Sequence, residues 1–134
     1  MTSTTTSTDL VRSMYDAFGR GDIEFIVSRL SPDCPWIAPG EGLPNAGTYT
    51  GPAGAAEFFR KLMASEEIVR FEVREFFTSG NDVIALGVEE ARAISTGKTA
   101  ATNWAMLFRV QDGMVTYFET FYDTAAYLRA HQGL

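Results

Sequence analysis

Two adjacent carboxylates, Glu89 and Glu90, stand in the middle of a largely apolar stretch that runs from Val83 to Ile94 and ends at Ser95-Thr96-Gly97. The stretch reads as a β-strand closed by a turn, and successive strand residues point to opposite faces of a sheet. One carboxylate of the pair therefore faces inward wherever the sheet covers a core or a cavity. A carboxyl among apolar walls loses solvation of its charged form, its pKa rises, and it is then suited to exchange a proton near neutrality. Glu89 is the candidate catalytic residue on this ground. The opposite parity would bury Ile84, Leu86 and Val88 and leave Glu89 in solvent. Asp123, in Phe-Tyr-Asp-Thr, reads first as the cap of the terminal helix and second as a candidate base, and Glu41 could reach a pocket mouth from its loop.

The elements that must position these groups are legible along the chain. Leu10, Met14, Ala17 and Phe18 recur at helical spacing after the capping candidates Thr8 and Asp9, and Gly19 and Gly21 end that helix. Asp22 caps a second helix carrying the stripe Ile23, Ile26, Val27 and Leu30, and Pro32 closes it. The segment 34–51 holds three prolines and four glycines, which predicts a short extended piece followed by a long ordered loop, 39–51, and composition alone does not say whether that loop closes over a pocket. Pro52 opens a third helix that buries Phe58, Phe59, Leu62 and Met63. Strands are expected over 68–78, 83–94, 99–110 and 114–122, joined by tight turns into an antiparallel meander, and a short helix ends the chain. Helices followed by long antiparallel strands imply an α+β fold in which a strongly curved sheet closed by three N-terminal helices encloses a pocket. Residues 1–8 read as a disordered Ser/Thr leader and 9–134 as a single domain.

Composition narrows the function classes. The chain has 134 residues, 46% of them hydrophobic and 13% aromatic, enough for a substantial core. A net charge of −6 argues against nucleic acid and anionic membrane surfaces, which need clustered Lys and Arg. The lone Cys34 cannot pair within the chain and reads as a small buried hydrophobe, and with one His no zinc site of the usual kinds can form. No metal or other cofactor is implied, and no glycine-rich phosphate loop opens a helix. Without a secretory or membrane-spanning pattern the expected location is the cytoplasm. His131, two residues before the last Gly, falls in an expected mobile tail. Glu90 with Arg92, and Glu119 with Arg109, read as cross-strand ion pairs of the outer face.

The helical hairpin ending in Gly-Arg-Gly-Asp, the segment with Trp36, Ala38-Pro-Gly and Ala46-Gly-Thr-Tyr-Thr-Gly, and the meander with Thr96-Gly-Lys and Asp112-Gly-Met-Val resemble the nuclear-transport-factor-2-like superfamily. Within it the chain is most similar to SnoaL-like proteins, relatives of ketosteroid isomerase and limonene-epoxide hydrolase, over residues 9–131. The resemblance implies a cone-shaped fold with a deep apolar pocket, commonly dimeric. The isomerase base falls on Ala38 and its oxyanion-hole pair on or near Met14 and Met106, so that constellation is absent. The hydrolase Arg falls on Gly87, its two Asp on Glu89 and Thr120, and its water-holding Tyr and Asn on Trp36 and Ala38; one carboxylate survives. SnoaL-like cyclases use a single acid/base carboxylate, a requirement this sequence can meet.

In the superfamily register the inward residues of the meander are Gly87, Glu89 and Ala91, then Thr102, Trp104 and Met106, then Phe118, Thr120 and Tyr122. With Tyr15 and Trp36 these give the expected ligand-binding set Tyr15, Trp36, Thr102, Trp104, Met106, Phe118, Thr120 and Tyr122 around Glu89. The ligand implied is a small apolar molecule with a carbonyl or enol, polyketide-like, handled by cofactor-free isomerase, cyclase or hydrolase chemistry. A non-catalytic small-ligand-binding or dimerisation module fits the same pocket. The same parity places Ile84, Leu86, Val88, Leu107, Tyr117 and Phe121 outside, an apolar face that implies a homodimer.

Overall fold

The computed structural model describes residues 6–134. Helix α1 (Ser7–Gly19) starts on Thr6, whose hydroxyl accepts the Asp9 N–H at 3.0 Å, so the cap lies upstream of Thr8 and Asp9. Residues 6–8 are therefore part of the folded unit, and the rest of the expected leader lies outside the described residues. Asp22 caps α2 (Ile23–Ser28) through the Phe25 N–H, and the Cys34–Ala38 segment then enters β1 (Pro35–Ala38). The loop beyond it is shorter than expected, because Gly47–Thr50 forms β2, paired antiparallel with β1. Helix α3 (Gly51–Ser65) has Pro at its first turn, and Gly51 enters it at φ +68, where a Cβ would strike the Pro32 carbonyl.

Strands β3 (Glu66–Ser79), β4 (Asp82–Ala93), β5 (Thr99–Gln111) and β6 (Met114–Tyr122) form the expected meander, and α4 (Thr124–His131) follows, capped by Asp123 on the Ala126 N–H. The sheet order is β2-β1-β6-β5-β4-β3. It is mixed rather than wholly antiparallel, since β1 runs parallel to β6 with Trp36 opposite Phe118. Register shifts between Ile68 and Arg70, between Val73 and Glu75, and between Arg109 and Val110 bend the long strands around the helices.

Two apolar clusters fill the concave side. The larger joins Val11, Met14 and Ala17 of α1 and Phe58 and Phe59 of α3 to Trp36, Trp104, Phe108 and Phe118 of the sheet. The smaller packs Leu43 of the Pro/Gly loop and Tyr127 and Ala130 of α4 on Ala91, Ala93 and Ala100. Gly87 is buried between them. A Cβ there would collide with the Glu72 carbonyl and the Trp104 indole, so the indole lies flat where any larger residue would push it off the sheet. On the convex side Ile84 is 41% and Phe121 48% exposed, with Leu86, Val88, Leu107 and Tyr117 half-buried.

The surface ion pairs differ from the expected ones because register chooses the partners. Glu67 stands opposite Arg92 and takes its guanidinium at 2.9 Å, while Asp82 stands opposite Arg109 at 3.8 Å. Glu119 instead accepts the Tyr117 hydroxyl at 2.7 Å. Exposed pairs of this kind contribute only about 0.2 to 1 kcal/mol each.

Candidate functional site

The alternation of β4 sends Glu89 to the concave side, and the register opposes it to Thr102 and Gly87 to Trp104. On the next pair Trp104 opposes Tyr122, Met106 opposes Thr120 and Phe108 opposes Phe118. All nine residues singled out from sequence, Glu89, Tyr15, Trp36, Thr102, Trp104, Met106, Phe118, Thr120 and Tyr122, line one cavity of about 100 Å³. That volume suits about one aromatic ring, since engineered apolar cavities of roughly 150 Å³ hold benzene. Tyr15, Phe18, Glu66 and Phe71 also border an open groove between α1, α3 and β3 and form the wall that the groove shares with the cavity.

The walls are aromatic and ordered by stacking. Trp104 lies parallel to Phe71 at 5.0 Å between ring centres, with Tyr15 on it at 5.7 Å, and Trp36 stacks on Phe118 at 3.8 Å. The Tyr15 hydroxyl is occupied by a thioether, donating to Met106 Sδ at 3.0 Å, and burial raises its pKa. Thr102 is occupied by backbone, donating to the Asn103 carbonyl and accepting the Asp123 N–H. Neither hydroxyl orients Glu89. Among the described residues, the buried Trp36 Nε1, Trp104 Nε1 and Asn45 Oδ1 have no hydrogen-bond partner in the protein. Leaving such groups unpaired costs roughly 1 to 3 kcal/mol each, so three around one cavity are unusual in a core built only for packing.

The polar end of the cavity holds three residues that sequence reasoning missed as site residues, Tyr127, Asn45 and Glu66, and His131, which does not line it, pairs with Glu66. Tyr127 of α4 donates its hydroxyl to Glu89 Oε1 at 2.5 Å. Asn45 descends from the Pro/Gly loop, held in place by the buried neighbour Leu43, whereas Glu41 of the same loop is exposed. Glu66, at the junction of α3 and β3, is 5% exposed and lines the cavity. His131 is not in a mobile tail. It sits in the last turn of α4, its Nε2 2.9 Å from Glu66 Oε2. The spacing of helical residues in α4 was visible, but not that its inner face would meet strands 38 and 65 residues away.

Burial pushes the Glu89 carboxyl up to about 7; the Tyr127 hydrogen bond opposes that rise and the Glu66 charge adds to it. Tyr127 and Tyr122 are themselves held above the ordinary phenol range, first by burial and then by the nearby carboxylates. Burial raises the Cys34 thiol to about 11, in keeping with an inert packing residue. Asp123 is engaged as the α4 cap and does not line the cavity. The arrangement can therefore hold a proton on Glu89 near neutral pH and release it to a bound polar atom.

A SnoaL-like domain model matches residues 11–118. The chain belongs to the SnoaL-like family. Its fold is that of an NTF2-like protein from Burkholderia xenovorans, 33% identical, with a TM-score of 0.85 over 96% of this chain and 98% of that one. This SnoaL-like chain is also similar to TerC, solved co-crystallised with polyporic acid, at 28% identity and a TM-score of 0.84 over 94% and 98% of the two chains. An uncharacterised protein of Mycobacterium tuberculosis is 29% identical over 119 residues, 88% of this chain and 90% of its own. No helix among the described residues is long and apolar enough to cross a membrane.

The raised carboxyl has a consequence for stability. The folded chain holds the Glu89 proton up to about pH 7, whereas an unfolded carboxylate releases it near 4.5, so Glu89 lowers stability as pH rises through that window. Glu89→Gln is expected to match the natural protein at pH 4 and to be more stable by about 1 to 3 kcal/mol at pH 8. Urea denaturation at the two pH values measures the difference, and a variant less stable at pH 8 contradicts the burial of this carboxyl.

Proposed function

We propose that the cavity binds a small hydrophobic carbonyl or polyketide-like compound and that Glu89 moves a proton on it, in cofactor-free isomerase, cyclase or hydrolase chemistry. The family and fold support the coarser part of this reading, small-ligand binding or cyclase-type function. The finer part rests on one observation, a carboxyl of pKa about 7 enclosed by aromatic walls and held by Tyr127. The unpartnered indole N–H groups suit a ligand carbonyl and Asn45 Oδ1 suits a ligand hydroxyl. TerC and its polyporic acid favour an aromatic ligand with oxygen substituents.

The second reading, a binding or dimerisation module without chemistry, is favoured by the cavity's size, because Tyr15, Trp104 and Phe71 already fill much of the cone. Under either reading we infer a homodimer that covers Ile84 and Phe121 of the convex face. A cytoplasmic setting belongs to the same reading, with a lone Cys34 that can form no internal disulfide.

When titrated into the protein, acetophenone, a one-ring ketone with no titrating group, is expected to quench Trp36 and Trp104 fluorescence saturably. Glu89→Gln should bind it with a pH dependence that is flat between pH 6 and 8, where the natural protein's changes. Quenching that never saturates would reject the ligand cavity, and identical pH profiles would reject Glu89 as the titrating contact. For the dimer, light scattering at micromolar concentration should give a mass near twice the 14.7 kDa chain, and Phe121→Lys should halve it; a natural protein of single-chain mass refutes the interface.

A further inference from the structure

We propose that Glu66, oriented by His131, is a second catalytic carboxylate of the cavity and accepts a carbon-bound proton while Glu89 protonates the adjacent carbonyl. The inference rests on the ligand reading above and narrows it to one reaction class, the enolisation of an aromatic ketone.

The placement is built by three elements. Glu66 ends α3 and starts β3, its N–H still bonded to the Leu62 carbonyl, so its side chain is turned inward at the point where helix becomes strand. That side chain is 3% exposed yet borders both the cavity and the neighbouring groove. A carboxylate so enclosed needs a partner, and α4 supplies it in His131, 12% exposed and 2.9 Å away. The adjoining helix end is tied down as well, since Thr96 donates to the Ala130 carbonyl at 2.6 Å. The ionisable groups facing Glu66 are Glu89 on β4, Tyr122 on β6, and Tyr127 and His131 on α4.

Two carboxylates at one cavity are expected to divide their roles when their partners differ. Glu89 Oε1 accepts the Tyr127 hydroxyl from α4, whereas Glu66 Oε2 has a ring nitrogen of His131 at 2.9 Å, so the two carboxyls are held by different partners at different walls of the cavity. In the step proposed, the bond between the ketone α-carbon and its hydrogen breaks, and Glu66 takes the proton. The electron pair becomes the carbon–carbon double bond, and the carbonyl oxygen takes the Glu89 proton. Return of a proton from Glu66 to carbon, with the enol proton going back to Glu89, completes the cycle without any oxidant, metal or other co-reactant. His131 touches no ligand in this scheme and is a positioning residue.

The test is the exchange of the ring-methylene hydrogens of 2-indanone in D2O, followed by ¹H NMR, with its Kd measured separately. The natural protein should accelerate exchange over buffer, and Glu66→Gln should bind 2-indanone with unchanged Kd but exchange about a hundredfold more slowly. Exchange by Glu66→Gln at the natural rate, or loss of binding in that variant, overturns the assignment of Glu66. Full exchange by Glu89→Gln sinks the assignment of Glu89 and leaves that of Glu66 standing, and no acceleration by the natural protein rejects both. His131→Asn guards against a Glu66 variant that fails to fold. It should slow exchange several-fold and displace the pH–rate profile while leaving Kd unchanged; a superimposable profile overturns the pair.

Discussion

A carboxyl group inside an apolar cone has to be met by a donor or keep a proton, and much of this molecule is arranged around that requirement at Glu89. Tyr127 supplies the donor, which fixes where α4 must lie on the sheet. Asp123 caps α4 one turn before Tyr127, and the Asp123 N–H is in turn held by Thr102, opposite Glu89 on β5. Leu43 packs against the same helix, so the Pro/Gly loop is drawn over this end of the cavity and brings Asn45 with it. The polar end of the site is thus one connected piece of structure.

The apolar end follows a different logic, shape rather than charge. The bare backbone of Gly87 lets Trp104 lie against the sheet, and Trp104 then supports Phe71 and Tyr15 as a stack. The same glycine explains why the hydrolase-type arginine has no counterpart here, since any side chain at this position meets the Glu72 carbonyl and the indole. Trp36 reaches its place on Phe118 through the parallel β1–β6 pairing, which carries an N-terminal strand into the middle of the sheet. Space in the cavity is what these rings leave over, and a ligand larger than one ring would have to displace Tyr15 or Phe71 toward the groove.

How far the sequence could be read follows from these two kinds of contact. The period-2 pattern of β4 to β6 carries its own parity once the family register is known, so Glu89, Trp104 and Tyr122 could be assigned to the inner face. The elements with strong local signals, such as Asp22 before its apolar stripe, Pro52 at a helix start and the turn glycines, were legible for the same reason. What escaped depended on distant pairing. β2 is four residues after a glycine-rich loop and exists because β1 lies beside it. Glu66 falls where helical period gives way to strand period, so neither pattern marks its direction. His131 and Tyr127 looked like an ordinary terminal helix because their partners are remote in the chain, and the ion pairs of Arg92 and Arg109 were misassigned because the meander register, not sequence proximity, selects the partner.

The central claim is that Glu89 retains a proton near neutrality within the aromatic cone. Carbon-13 NMR of the protein labelled at glutamate side-chain carboxyls, with Glu89→Gln used to assign the resonance, measures its titration directly. A midpoint near 7 is the expected result for the natural protein, moved upward in Tyr127→Phe, because the phenol hydrogen bond favours the charged form. A midpoint near 4.5, the value of a solvated glutamate, would contradict the account.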